Sequence, residues 1–292
     1  MKPNPKVKKG NKEMKKLMFA AAVVAAGVAV ADVTTDIIGY QNKELKQSGD
    51  SYVCDTFKSI GKELNEISLG DFNVPETWEF EFDYVALINP NGILGQKYTC
   101  VTKKYATEHA QPELMGWWEF EDASSGLFVK GKKDDVSIPF GTAFVVHTES
   151  GSAAITFSGE VLGDDYGIPL GFNSNTFTGI VCPADVKIGD LMPKNGDGET
   201  IGWAYDTDYI ARIKPNGTLG AKYTYVTPYM AVNAFGLSED SELVGWWDYE
   251  VALAENFASS GKVDDSVEFK AGDAIMIYTG AECELVIPSA IP

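Results

Sequence analysis

The sequence predicts an all-β protein in which two homologous domains, each a β-sandwich or β-barrel with one or two short helices, stand in tandem behind a leader segment. Three observations predict it. A set of sequence blocks recurs in the same order, short β-branched and aromatic runs alternate with Gly- and Pro-rich turns, and helical periodicity is scarce.

The repeat comes first. "YVALINPNGILGQKYTCVT", from Tyr84, aligns without a gap on "YIARIKPNGTLGAKYTYVT", from Tyr209, with thirteen of nineteen positions identical. Around it, "ISLGDF" from Ile67 pairs with "VKIGDL" from Val186, and Gly116-Trp117-Trp118 with Gly245-Trp246-Trp247. "ASSG" from Ala123 recurs from Ala258, and "DDVSIPFGTAFVVHT" from Asp134 matches "DSVEFKAGDAIMIYT" from Asp265. Five blocks in one order imply duplication of a whole unit of about 130 residues, a usual domain size. The boundary falls near Gly163, in "GEVLGDDYGIP", giving domains 32–163 and 164–292.

Within each unit, "PNG" at 90–92 and 215–217 places Pro and Gly where a tight turn needs them, between runs of strand character, and predicts a hairpin. "TAFVVHT" and "AIMIYT" read as strands, and "AAITFSGEVL" and "ECELVIP" as closing strands. Short helical turns are expected at "ELNEISLGDF" and "ADVKIGDLM", and a further one at "YATEHAQPELM". These signals do not choose between sandwich and barrel.

Ahead of the repeat, two lysines, an apolar run from Leu17 to Val30 and Ala29-Val30-Ala31 before Asp32 have the layout of a secretory signal peptide, residues 1–31, cut after Ala31. Residues 1–13 lengthen the basic region, so Met14 is an alternative start. The apolar run is too short to favour a membrane span, and none is expected after cleavage. The expected location is periplasmic or extracellular. Residues 1–31 hold seven lysines and one acid, so the mature chain carries 17 basic against 41 acidic residues, a net charge of −24. Such a chain repels nucleic acid and anionic membrane surfaces, so nucleic acid is not expected as a partner.

Export permits disulfides, and Cys54, Cys100, Cys182 and Cys283 fall two to a half. Of the three connectivities, Cys54 with Cys100 and Cys182 with Cys283 keep each bond within one half; free thiols are the alternative. No spacing suggests zinc, and no motif implies a cofactor. "KNGDGET" at 194–200 alternates Asn195, Asp197 and Glu199 but misplaces the glycines of a calcium loop, so it reads as a hairpin turn.

The chemistry-bearing candidates lie in "GWWEFE", 116–121, and "GWWDYE", 245–250. Read as extended strands, they put Trp118 and Phe120, or Trp247 and Tyr249, on the core face. Trp117 and Trp246 then stand with Glu119 and Asp248 on the opposite face. An indole beside carboxylates suits a saccharide platform, and two copies would add avidity on an extracellular polysaccharide. Packing under a loop or against the other domain is the competing use of the same indoles. His109 and His147 have no counterparts across the repeat and no nucleophile motif beside them. Carboxylate pairs such as Glu119 with Glu121 leave a glycoside hydrolase as the third alternative.

"DVTTDIIGYQNKEL" after the leader, with Ile37, Ile38, Gly39 and Tyr40, and "ITFSGEVL", with Phe157, Gly159 and Val161, resemble exported proteins of uncharacterised function from the Planctomycetes, Verrucomicrobia and Lentisphaerae group of bacteria. The resemblance implies export, a β-rich fold and no catalytic residues. The expectation is therefore a secreted, non-enzymatic structural or interaction protein, with an envelope protein or a polysaccharide as partner.

Overall fold

The structure is a computed structural model that describes residues 38–289, apart from 47, 58–66, 150–153, 195–202, 215, 255–256 and 258–260. The expected leader at 1–31 and most of the loop at 194–200 lie outside the described residues. The described residues from Ile38 onward form one compact unit. Its described part is mostly β, with several antiparallel sheets and four short α-helices. None of these helices is long and apolar enough to cross a membrane.

The first half contains β1 (Ile38–Glu44), β2 (Gly49–Cys54), β3 (Ile67–Ser68), β4 (Tyr84–Ile88), β5 (Leu94–Val101), α1 (Lys103–Glu108), β6 (Gly116–Glu119), α2 (Phe120–Ser124), β7 (Ser137–Ile138), β8 (Ala143–Thr148) and β9 (Ala154–Glu160). The second half contains β10 (Tyr166–Leu170), β11 (Ser174–Gly179), β12 (Val186–Lys187), β13 (Met192–Lys194), β14 (Tyr209–Ile213), β15 (Leu219–Val226), α3 (Pro228–Asn233), β16 (Gly245–Asp248), α4 (Tyr249–Leu253), β17 (Glu268–Phe269), β18 (Ala274–Thr279) and β19 (Cys283–Ile287). One five-stranded sheet has the order β2-β8-β4-β5-β6, and the other β11-β18-β14-β15-β16. Smaller pairings also correspond: β3 with β7 and β12 with β17, β1 with β9 and β10 with β19. The stretch expected to link two domains is short, because β9 runs to Glu160 and β10 begins at Tyr166.

Local chemistry explains the elements. At the β4–β5 turn the Asn91 side chain accepts from the Ile93 N–H at 3.0 Å, and Gly92 takes φ +80°; Asn216 and Gly217 (φ +78°) do the same between β14 and β15. Thr102 caps α1 by accepting from the Tyr105 N–H, and Thr227 caps α3 from Met230. The expected turns at "LGD" and "IGD" are 3₁₀ turns at Leu69–Asp71 and Ile188–Asp190.

A single apolar cluster runs through both halves, taking in Phe72, Trp117, Phe144 and Phe157 from the first and Trp203, Trp246, Phe269 and Ile277 from the second. A smaller one joins Tyr84, Ala86 and Val145 to Ala274. Strands β8 and β18 are covered on both faces, which is why they read as unbroken apolar runs.

The contacts that join the halves are reciprocal. Val53 of β2 bridges to Asp273, and Thr178, which occupies the matching place in β11, bridges to Thr142. The Cys54 N–H donates to the Gly272 carbonyl at 3.0 Å. The Tyr52 hydroxyl lies against Gly217 at the turn of the second half, and the Phe177 ring against Gly92 at the turn of the first. Cys54 and Gly179 end β2 and β11 and meet each other: a Cβ at 179 would stand 2.1 Å from the Cys54 Cβ and 2.8 Å from the Asp273 carbonyl oxygen. Gly179→Ala should therefore lower stability by about 1–3 kcal/mol through overpacking, measured by urea unfolding; an unchanged midpoint would show that the junction yields.

Candidate functional site

The paired tryptophans are core residues, and the saccharide platform expected at Trp117 and Trp246 does not form. Trp117 is 2% exposed and Trp246 1%. Trp117 stands edge-on to Trp78 and Phe72, with ring centroids 6.1 and 6.3 Å apart; Trp246 stands likewise to Trp203, at 6.1 Å. The expectation fails because neither strand continues beyond Glu119 or Asp248. Trp117 and Trp246, on the face assumed to be solvent, point into the main core, and the face assumed to be core is covered from outside by α2 or α4, where the chain direction changes. Trp118 and Trp247 occupy that second face, in satellite clusters with Val101, Ala106 and Ala123 or Val226, Tyr205 and Ala252. Their indole N–H groups donate to the Leu114 and Leu243 carbonyls at 2.7 and 2.8 Å. The glycines that start both strands sit at φ +126° and +130°, which a β-carbon disfavours.

All six tryptophans thus form three matching pairs. The third, Trp78 and Trp203, donates to Thr99 and Thr224 at 3.2 Å in each half. Sequence comparison could have found it in "WEFEFDY" and "WAYDTDY". The aspartates of the same motif, Asp83 and Asp208, are buried and each accepts two backbone N–H groups, so they tie loops together.

The acids flanking the tryptophans are likewise committed. Glu119 pairs with Lys130 at 2.5 Å and Lys133 at 3.6 Å, and the hydrogen bond from Lys130 holds its carboxyl below the usual range. Asp248 caps α4, accepting from Glu250 and Val251. His147 stacks on Tyr84 at 4.7 Å and bonds Asp50 at 2.7 Å; His109 stacks on Tyr105. Among the described residues no His, Cys, Asp and Glu cluster could hold a metal.

The expected disulfides are absent: Cys54, Cys100, Cys182 and Cys283 are free. Strands β2 and β5 are three places apart in their sheet, about 14 Å, too far for Cys54 to reach Cys100. Cys182 lies beside Pro288 and Ser289, while Cys283 begins β19 five residues earlier, about 17 Å away along the strand. Burial pushes Cys100 and Cys283 up to about 12 and raises Cys54 and Cys182, so all four stay thiols at neutral pH.

A concave site does exist where the halves meet. The groove has a volume of about 440 Å³, and both halves line it. Tyr52 and Val53 come from β2; Ile213, Phe269 and Ile275 come from the second half. Cations stand around this apolar surface: Lys43, Lys46, Arg212 and Lys214, against the carboxylates Glu44 and Asp273. Lys43 crosses the junction, its Nζ 2.8 Å from Asp273 Oδ1 and 3.2 Å from the Ala271 carbonyl. Arg212 sits at a register shift between Ala211 and Ile213, a bulge of the kind that re-aims a side chain. Its guanidinium lies 4.5 Å from the centre of the Phe269 ring, Nη2 donates to the Glu268 carbonyl, and Nε is buried with no acceptor among the described residues.

Sequence reasoning passed over these residues. Their signal was in the gapless repeat, where Leu87 and Asn89 are replaced by Arg212 and Lys214. Comparison with models of protein families, with curated proteins and with solved structures finds no match.

Trp117→Ala and Trp246→Ala should each cost about 3–5 kcal/mol in denaturant unfolding, as core truncations do; a loss near zero would return the indoles to the surface. Near the junction, Asp55 is 3% exposed, and burial raises its carboxyl to about 7, against backbone hydrogen bonds from Phe57 and Thr56 that lower it. Between about pH 4 and 7 the folded state then holds a proton that the unfolded chain releases, so this group's contribution to stability falls as pH rises. Asp55→Asn retains an acceptor for Phe57 and should exceed the parent in stability at pH 8, on the order of a few kcal/mol, with the gain vanishing near pH 4. A pH-independent difference in melting temperature would contradict the assignment.

Proposed function

We propose that the chain is an exported, non-catalytic interaction protein, built by duplication of a β domain and binding its ligand in the groove between the two halves. The observation that carries the reading is the groove itself: a preformed hollow of ligand size, with an apolar surface and a polar rim, to which both halves contribute. Export rests on the leader's charge and small-residue pattern. Duplication rests on the ordered sequence blocks, and the matched strand orders and reciprocal junction contacts support it. A non-catalytic role is supported by the structural use of the carboxylates first singled out, Glu119 in ion pairs and Asp248 as a helix cap.

Ala221 is exposed on β15 and lines the groove, so Ala221→Trp fills it without touching the core. In a thermal-shift panel of neutral and acidic saccharides and organic acids on the full chain, at least one compound should stabilise the parent and not Ala221→Trp, the two melting alike without ligand. Equal stabilisation of both, or of neither by any compound, would defeat the reading.

A further inference from the structure

We infer that the ligand of this groove carries a compact anion, a carboxylate or a phosphate or sulfate ester, on a small body that packs against Tyr52 and Ile213. The inference rests on the groove being a binding site and concerns what it selects.

The argument is that the fold is made twice and the cations once. Lys43 pairs with Ile155 in β1–β9, and Ile168 holds the corresponding place opposite Leu285 in β10–β19. The Thr148 hydroxyl donates to the Lys46 carbonyl at 2.7 Å, and Thr279 donates to Gly171 at 2.9 Å, which equates Lys46 with Gly171. Arg212 and Leu87 both sit at the register shift of their hairpins, and Lys214 and Asn89 both receive the turn hydrogen bond from the glycine three residues on. The four cationic positions of the groove therefore correspond to Ile168, Gly171, Leu87 and Asn89, none of them charged. Lys43 joins the halves through Asp273 and the Ala271 carbonyl, whereas Arg212 and Lys214 make no such bridge among the described residues. Arg212 moreover replaces a leucine packed against the core and leaves a buried Nε unpaired among the described residues, which costs stability.

The surrounding charge narrows the ligand. In a chain of net charge −18, four cations face two carboxylates in one hollow. Lys43 is matched by Asp273, whereas Arg212 and Lys214 form no side-chain ion pair among the described residues. A guanidinium beside an ammonium suits the oxygens of a carboxylate or a phosphoryl or sulfuryl group. A long polyanion would leave most of its charge against the acidic remainder, while a compact anion lies within about 8 Å of the local cations, one screening length at physiological salt. The aromatic and aliphatic surface then takes the uncharged body.

The test converts the groove to the residues its counterpart already uses. Arg212→Leu with Lys214→Asn is compared in the full chain with the parent, with Ala221→Trp and with Lys187→Asn, which removes an exposed cation outside the groove. Binding of glucuronate, inorganic phosphate and neutral glucose is measured calorimetrically at low salt. The parent should bind glucuronate at least tenfold more tightly than glucose. The double variant should lose at least tenfold in anion affinity with an unchanged or higher melting temperature, and Lys187→Asn should bind as the parent does. Phosphate binding as well as glucuronate would identify the anion as the main determinant; glucuronate alone would identify the carboxylate with its ring. Glucose bound as tightly as glucuronate, or anion binding that Ala221→Trp abolishes and the double variant keeps, overturns the anion while leaving the groove as a site. An equal loss in Lys187→Asn overturns it as well, by assigning the effect to net charge. Anion binding lost in neither groove variant, or no binding of any probe, overturns the inference and the groove reading together.

Discussion

The joint between the halves depends on one steric condition at the ends of β2 and β11. Cys54 and Gly179 occupy matching positions and face each other so closely that only one of them can carry a β-carbon. Around that contact the halves exchange main-chain bridges, place Tyr52 and Phe177 on each other's hairpin turns, and close one apolar cluster over both sheets. Loss of that closeness would open the floor of the groove as well as the core, because Val53 lines the first and belongs to the second. The site and the joint are made from the same strands.

Much of the architecture was legible in the sequence because its signals are local. Turn chemistry at Asn91-Gly92 and Asn216-Gly217 depends on residues a few positions apart, and short β-branched and aromatic runs announce strands without any knowledge of packing. The faces of "GWW" were not legible, because period-two alternation assigns faces only while a strand lasts. Here the strand ends at Glu119 or Asp248, and helices that carry little periodic signal cover the outer side. Cysteine pairing was illegible for a different reason: it depends on strand order, and sequence adjacency says nothing of the two strands inserted between β2 and β5.

The groove was the least legible feature. Its lining comes from β1 and β2 on one side and from the β14–β15 hairpin and β17–β18 on the other, segments more than 150 residues apart. Similarity between the repeats draws attention to what they share, which here is the hydrophobic and hydrogen-bonding framework. The distinctive chemistry sits where they differ, at Leu87 and Arg212, Asn89 and Lys214, and also at Asp55, a buried acid at the position that is Ile180 in the second half. In a protein of this construction, departures from the repeat mark distinctive surface chemistry better than its most faithful blocks do.

The contact of Cys54 with Gly179 also separates this chain from any assembly of identical subunits. In a homodimer the two facing positions would be the same residue: two cysteines would collide, and two glycines would leave the space of a side chain unfilled. Covalent continuity removes that restriction, since each position can then be chosen alone. A single chain can therefore keep paired scaffolding while its two junctions drift apart in character, and it can present one ligand site where a symmetric dimer would be obliged to present two.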